Sequence, residues 1–222
     1  MFRLQFFRMQ CVFERPACQG SRSYVAAEAM RVMSVPDSIG QQIEQDIWTW
    51  IKDFVTAANE FYHYKFPPCP FARQAVASKT VDVQVWQTGN VREFIRNNAI
   101  SMRDTPSLTT RVMAFPPQTR FQWGINDYVE ELNAELIASN VFLNTGVAKT
   151  TKSRYLGSAS KEPYFIVIAN SLEAVLSGAE ALTKTDYYKN WPAAHYAHVV
   201  ERRERMAKQY GIQSPPERPS EL

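Results

Sequence analysis

The stretch PYFIVIA, residues 163–169, consists of a proline followed by six consecutive apolar or aromatic residues. β-Branched and aromatic side chains favour an extended backbone. A strand with one exposed face alternates polar and apolar residues, whereas this stretch does not alternate. It therefore predicts a central β-strand with both faces covered, which requires neighbouring strands at its edges and further elements above and below.

Three other stretches have the character of strands: TVDVQVW (residues 80–86), SLTTRVMAF (107–115) and NVFLNTGVA (140–148). Apolar residues at helical spacing predict helices over about 39–62 and 122–139, with short helices after residues 90 and 170. A charged helix is predicted over about 192–210. The connections are not all long enough for parallel crossovers. We therefore predict an α+β fold, with a mixed β-sheet of three to five strands and helices packed mainly on one face. A doubly wound parallel sheet is the alternative, without a dinucleotide site, because neither GxGxxG nor GxxxxGK[ST] occurs.

Capping-box patterns mark three predicted helix starts. In a capping box, a side chain accepts a hydrogen bond from the amide three residues later, whose own side chain bonds back. The pairs are Ser38 with Gln41, Asn90 with Glu93, and Asn170 with Glu173. Pro67, Pro68 and Pro70 are predicted to end the first helix because proline lacks an N–H group. Gly211 is predicted to close the last helix.

Charge divides the chain into an arm and a domain. The protein has 222 residues and a formal net charge of +3, and residues 1–36 alone contain five arginines against two glutamates. The remaining charges balance, so we do not expect a basic face that neutralises phosphates, and nucleic-acid binding is disfavoured. We predict a basic, disordered or targeting arm over 1–36, a single α+β domain over 37–211 and a disordered tail over 212–222.

The arm is open to three interpretations. It is rich in arginine and poor in acids, as organelle transit peptides are. It is equally interpreted as a disordered basic tail, or as an extension that precedes a true start at Met30 or Met33. No run approaches the ~18 apolar residues of a membrane span, and three cysteines do not make a disulfide framework. We expect a soluble intracellular protein, in an organelle if the arm is a transit peptide.

The stretch HYKFPPCPFARQ, residues 63–74, places Cys69 in a proline-rich segment directly after a predicted helix. A thiol acts as a nucleophile when it is a thiolate, which a helix N-terminus, a cation or a metal favours. His63 and Arg73 are close enough in sequence to lower the pKa of Cys69, so the sequence predicts a catalytic group of Cys69, His63 and Arg73. The alternative is a small buried hydrophobic residue beside Phe71, with prolines that fix the path of the chain.

The segment IWTWIKDFV followed by CPFAR resembles an uncharacterised bacterial protein family in which a Trp-containing helix leads into a Leu-Cys-Pro-Phe-Ala motif. LTTRVMAF, INDYVEELNAEL and EPYFIVIANSLEAV follow in the family's order. The resemblance thus covers about residues 38–180. Pro68 stands where the family has leucine, and the family's later Phe-His-Pro segment does not occur between Leu143 and Tyr164. The resemblance implies the fold and the position of Cys69, and it implies no activity.

Two histidines near the C-terminus are candidate metal ligands. His195 and His198 are three residues apart on a predicted helix, a spacing that lets both bind one metal ion. Glu201, or His63 and Cys69 from the proline-rich segment, would complete such a site. The alternative is a solvated helix face that carries two neutral histidines.

The stretch DYYKNW, residues 186–191, concentrates aromatic side chains. Tyr187, Tyr188 and Trp191 offer stacking surfaces for a ring or a base. The alternative is that this cluster holds the start of a helix against the core.

These features lead to two hypotheses about function. The first is a small-molecule enzyme or redox protein that uses Cys69 as a thiolate, with a small-molecule ligand as its partner. The second is a non-catalytic binding or interaction domain in which Cys69 is structural. The sequence identifies no cofactor and does not define the oligomeric state.

Overall fold

A computed structural model describes residues 36–58, 62, 64–117, 124–148, 164–189 and 191–211. Its strands are β1 (Val81–Val85), β2 (Thr110–Phe115), β3 (Val141–Ala148) and β4 (Tyr164–Ser171). They form one 4-stranded sheet in the order β1-β2-β4-β3. Strands β1 and β2 are parallel, whereas β4 is antiparallel to both β2 and β3. The predictions of an α+β fold and of a mixed sheet of three to five strands are confirmed.

The α-helices are α1 (Asp37–Trp50), α2 (Pro70–Ala77), α3 (Val91–Arg103), α4 (Ile125–Leu136), α5 (Leu172–Thr183), α6 (Ala193–Tyr196) and α7 (Arg202–Gln209). Helix α1 continues into a π-helical turn at Ile51–Val55. A second π-helical turn at Ala197–Glu201 joins α6 to α7. Short 3₁₀ turns lie at Ile137–Ser139 and Asp186–Tyr188. In the part of the chain covered by the structure, no helix has the length and apolar character needed to cross a bilayer.

Strand β4 is an interior strand with both faces covered, as its uninterrupted apolar sequence predicts. Ile166 packs with Ile47 of α1, and the next residue, Val167, packs on the opposite face with Val129 of α4. The expectation that helices pack mainly on one face is therefore not met. Strand β2 explains the difference, because Val112–Phe115 are all buried and need partners on both faces.

Two buried polar side chains fasten helices to this sheet. The hydroxyl of Tyr164 on β4 donates to the carboxylate of Asp46 on α1 at 2.6 Å. The amide of Asn133 on α4 donates to the C=O of Leu143 at 3.0 Å and accepts from its N–H at 2.7 Å. Asn133 thereby bonds the outer edge of β3 as a neighbouring strand would. Burying these groups costs little because their hydrogen bonds are made.

The predicted helix boundaries are correct in part. Asn90 caps α3, and its side chain accepts from the N–H groups of Arg92 and Glu93. Gly211 adopts a left-handed φ of 70° after α7, as predicted. The other two predicted caps are wrong, because α1 begins after Pro36 without a side-chain cap and α5 is capped by Ser171.

Helix α2 lies where the sequence predicts only a loop. Pro70 is its first residue, a position at which proline is favoured because that N–H has no partner within a helix. The sequence predicts only that these prolines end the preceding helix. Instead, Pro70 starts a new helix and makes Cys69 its N-cap residue.

Gly178 of α5 is required by close packing against the Cys-Pro-Phe-Ala segment. A Cβ atom at this position would lie 1.8 Å from the ring of Phe71. That distance is far inside van der Waals contact, so the ring presses directly on the backbone of α5. The contact fixes α2 against α5.

We expect Gly178→Ala to lower the free energy of unfolding by about 1–3 kcal/mol through overpacking. This sign is opposite to the gain of about 1 kcal/mol that alanine gives in an unconstrained helix. Urea denaturation measures the change, with Ser177→Ala, exposed on the same helix, as the control. Adding Phe71→Leu should recover part of the loss. A double variant whose cost equals the sum of the two single costs would contradict the proposed contact.

Candidate functional site

Cys69 is held in place by backbone bonds on both sides. Its N–H donates to the C=O of Val55, the last residue of the first π-helical turn, at 3.1 Å. Its own C=O accepts from the N–H of Ala72 at 3.2 Å. The residue is half-buried and is a free cysteine. The thiol therefore has a fixed position at the start of α2.

A set of aromatic rings, named here the aromatic cluster, packs beside Cys69. Its members are Tyr62, Phe66, Tyr187, Tyr188, Trp191 and Tyr196. Tyr62 and Tyr187 stack with their ring centroids 4.7 Å apart and their planes 3° from parallel. The hydroxyl of Tyr187 donates to the C=O of Pro68, the residue before Cys69. This arrangement supports the interpretation of DYYKNW as a packing element, because Tyr187 is buried.

The electrostatics at Cys69 favour the neutral thiol. Burial raises the pKa of the Cys69 thiol, while the N–H groups of Ala72 and Phe71 and the charge of Arg203 lower it to a lesser extent. Burial in turn lowers the pKa of the Arg203 guanidinium. The net direction at Cys69 is opposite to the one that a resting thiolate needs.

The cation beside Cys69 is Arg203, which the sequence analysis did not identify. It lies on α7, and its Nε donates to the C=O of Val199 in the second π-helical turn at 2.5 Å. In the ranges that the structure describes, no carboxylate forms a salt bridge with it, although the charge of Glu204 raises its pKa. Its neighbours Arg202 and Arg205 pair with Glu130 and Glu201. The only sequence signal was the charged stretch ERRER, residues 201–205, which does not show which arginine turns inward.

The predicted site residues are placed as follows. Arg73 lies on α2, four residues after Cys69, with an exposed side chain. His63 lies outside the described residues. His195 belongs to α6 and His198 to the second π-helical turn, but their side chains lie outside the described part. Among the described residues, no three His, Cys, Asp or Glu side chains come together as a metal site would require.

The outer edge of β1 is a second candidate site. The N–H of Trp86 donates to Ala114 of β2, and the C=O of Thr80 accepts from the N–H groups of Thr109 and Thr110. In residues 80–86, the backbone N–H and C=O groups of the even-numbered residues therefore point towards β2. Those of the odd-numbered residues point away from it. Val81, Val83 and Val85 direct their N–H and C=O groups outward, and no hydrogen bond from the described residues reaches them.

A groove with a volume of about 580 Å³ lies beside the start of this strand, and Val81 is the residue of β1 that lines it. Its lining comes from α1, α2 and the start of β1, and consists of Gln41, Glu44, Gln45, Trp48, Lys52, Val76, Lys79 and Val81. Lys52 lies over the ring of Trp48, with its Nζ 5.9 Å from the ring centroid. The groove thus offers a half-buried aromatic ring and charges of both signs beside unpaired backbone groups.

Comparison of the chain with protein-family models, curated proteins and solved structures found no match. The resemblance to the family with the Leu-Cys-Pro-Phe-Ala motif stays a prediction. Function is therefore inferred from the two sites alone, the thiol with its aromatic cluster and the open edge with its groove.

We expect Cys69 to react slowly with iodoacetamide in the folded protein. In a Cys11→Ser/Cys18→Ser background, labelling near pH 7 should be about tenfold slower, or more, than in the urea-unfolded chain. The rate should rise only as the pH passes above the ordinary thiol range, because burial raises the pKa of Cys69. Fast labelling that saturates below pH 8 would contradict this expectation. Mass spectrometry of the modified peptide gives both rates.

Stability should fall at alkaline pH because of the aromatic cluster. Burial raises the pKa of Tyr188 from 10.0 to about 12. The unfolded chain therefore loses this proton first, so stability is fully present below pH 10 and declines as the pH rises towards 12. Burial raises the pKa of Tyr62 and Tyr187 as well.

Tyr188→Phe should make this decline shallower, which urea midpoints measured between pH 9 and pH 12 would show. Tyr64 is 63% exposed, so Tyr64→Phe serves as the control and should leave the decline unchanged. An equal effect of the two substitutions would contradict the assignment to the buried ring.

Proposed function

We propose that this protein is a non-catalytic interaction domain that binds an extended polypeptide segment along the open edge of β1. The observation that carries the proposal is the row of outward N–H and C=O groups at Val81, Val83 and Val85, which have no partner among the described residues. An added strand would bond to these groups, as in other proteins that bind peptides by strand addition.

The surroundings of the edge support this proposal. Strand edges are usually protected by charges, prolines or covering elements, since open edges pair with other chains. At the opposite edge of this sheet, on β3, the side chain of Asn133 forms hydrogen bonds with the N–H and C=O groups of Leu143. Beside the start of β1, Trp48 and Val76 line a groove together with Val81. Alternate side chains of an added strand would contact these apolar residues, while Glu44 and Lys79 would select among polar neighbours.

The state of Cys69 also supports an interaction domain. A thiol that is neutral at rest, between aromatic rings and the start of α2, acts mainly as a packing residue. Its bond to Val55 and the bond between Tyr187 and Pro68 join α1, α2 and the 3₁₀ turn at Asp186–Tyr188. Helix α2 contributes one wall of the groove. In this proposal, Cys69 positions that wall.

One observation favours the thiol-dependent enzyme or redox protein as a second candidate. Arg203 lies close enough to lower the pKa of Cys69, and no described carboxylate forms a salt bridge with it, although the charge of Glu204 raises its pKa. A small anionic molecule that displaced solvent and bound Arg203 would bring a substrate next to the thiol. The slow-labelling experiment separates the two candidates, because a catalytic thiol would react faster than its unfolded counterpart.

A selection from a random peptide library on the immobilised full chain tests strand addition. Peptides that bind should protect the amides of Val81, Val83 and Val85 from hydrogen exchange. They should lose affinity by about tenfold or more for Val81→Pro, which lacks one outward N–H, and should still bind Val81→Thr, which keeps it. If peptides bind both variants with equal affinity, their binding site is not the β1 edge and the proposal is contradicted.

A further inference from the structure

The partner of the β1 edge is, we propose, the same edge of a second copy of this chain, paired antiparallel about Val83. The inference rests on the proposed function, because it uses the same edge, and it names the strand that occupies it. The two copies would form one continuous sheet across a twofold axis.

The alternation of outward-facing backbone groups along β1 matches the hydrogen-bond pattern of this antiparallel pairing. An antiparallel pair alternates between residues that exchange both backbone hydrogen bonds and residues that exchange none. If Val83 lies opposite Val83 of the second copy, Val81 lies opposite Val85, and these are the residues whose N–H and C=O groups face outward. Every outward group of β1 then receives a partner. A shift by one residue would place outward groups opposite groups that already bond β2.

The side chains of β1 are self-complementary in the same register. On one face, Val81, Val83 and Val85 of the two copies meet and extend the apolar layer beneath α1, in which Val83 is buried. On the other face, Asp82 lies opposite Gln84 of the second copy. Within one chain, Gln84 already donates to Asp82 at 3.0 Å, so the same donor and acceptor types meet across the axis.

Charge does not oppose the pairing. The two copies of Asp82 approach each other near the axis, but each is paired with Arg111 of its own chain at 2.8 Å. Arg111 also donates to the C=O of Asn98, which fixes its orientation. The groove beside the edge carries both signs, with Glu44 as well as Lys52 and Lys79. An isologous interface is self-complementary, and mixed charge allows opposite signs to meet across the axis.

The test measures two properties of the full chain: its mass in solution and the protection of its amides from hydrogen exchange. Sedimentation velocity over a wide dilution series should show a reversible dimer. Hydrogen exchange read by NMR should show protection that depends on concentration at Val81, Val83 and Val85, whereas Asp82 and Gln84, which face β2, stay protected at every dilution. This alternation is specific to edge pairing, since a dimer formed elsewhere would not produce it.

The matched variants are Val81→Pro and Val81→Thr. Proline is tolerated as the first residue of a strand but removes an outward N–H from each copy, so the dissociation constant should rise by about tenfold or more. Threonine keeps the N–H and should leave it nearly unchanged. Circular dichroism confirms that both variants fold. If Val81→Pro does not fold, Val85→Pro against Val85→Thr makes the same comparison at the other end of β1.

Three outcomes would overturn the inference. A dimer that persists unchanged in Val81→Pro would use another surface. A monomer at all concentrations whose outward amides exchange freely, but which binds selected peptides at this edge, would refute self-pairing and leave the proposed function standing. Outward amides that stay protected in a monomer at every dilution, without peptide binding, would refute both.

Discussion

The structure depends on one constraint, which is that strand β4 must be buried on both faces and bonded at both edges. Its apolar residues point alternately to the two sides of the sheet, so one layer of helices is not enough to cover them. Helix α1 covers one face and helices α3 and α4 cover the other. Strands β2 and β3 occupy the edges of β4. This leaves β1 at the margin of the sheet, where Val81 lines the groove and the outward backbone groups have no partner among the described residues.

Much of this arrangement could be predicted from the sequence, because it follows from local patterns. The alternation in TVDVQVW and the apolar run in PYFIVIA each specify a strand, and the Asn90 cap specifies where α3 begins. The layering could not be predicted in the same way. Whether a helix lies above or below a sheet depends on long-range packing, and the periodicity of a single helix does not contain that information.

The position of the thiol was predictable, whereas its environment was not. Three prolines around Cys69 indicated a fixed segment, and the structure adds that Pro70 begins a helix there. Sequence proximity pointed to Arg73, but that side chain is exposed. The effective cation, Arg203, comes from the far end of the chain. Proximity in sequence is a poor guide here because the cation that acts on Cys69 is brought there by the packing of α7, which a local sequence pattern does not specify.

The hydrogen bond from Tyr187 to Pro68 joins residues 119 positions apart, and this separation has a consequence during protein synthesis. The ribosome delivers Cys69 well before Tyr187 and Arg203, which lie beside it in the finished fold. At about 5–20 residues per second, the interval is roughly 6–24 s. A nascent chain therefore exposes a thiol that the finished fold half-buries, so Cys69 is more open to oxidants while translation is still in progress.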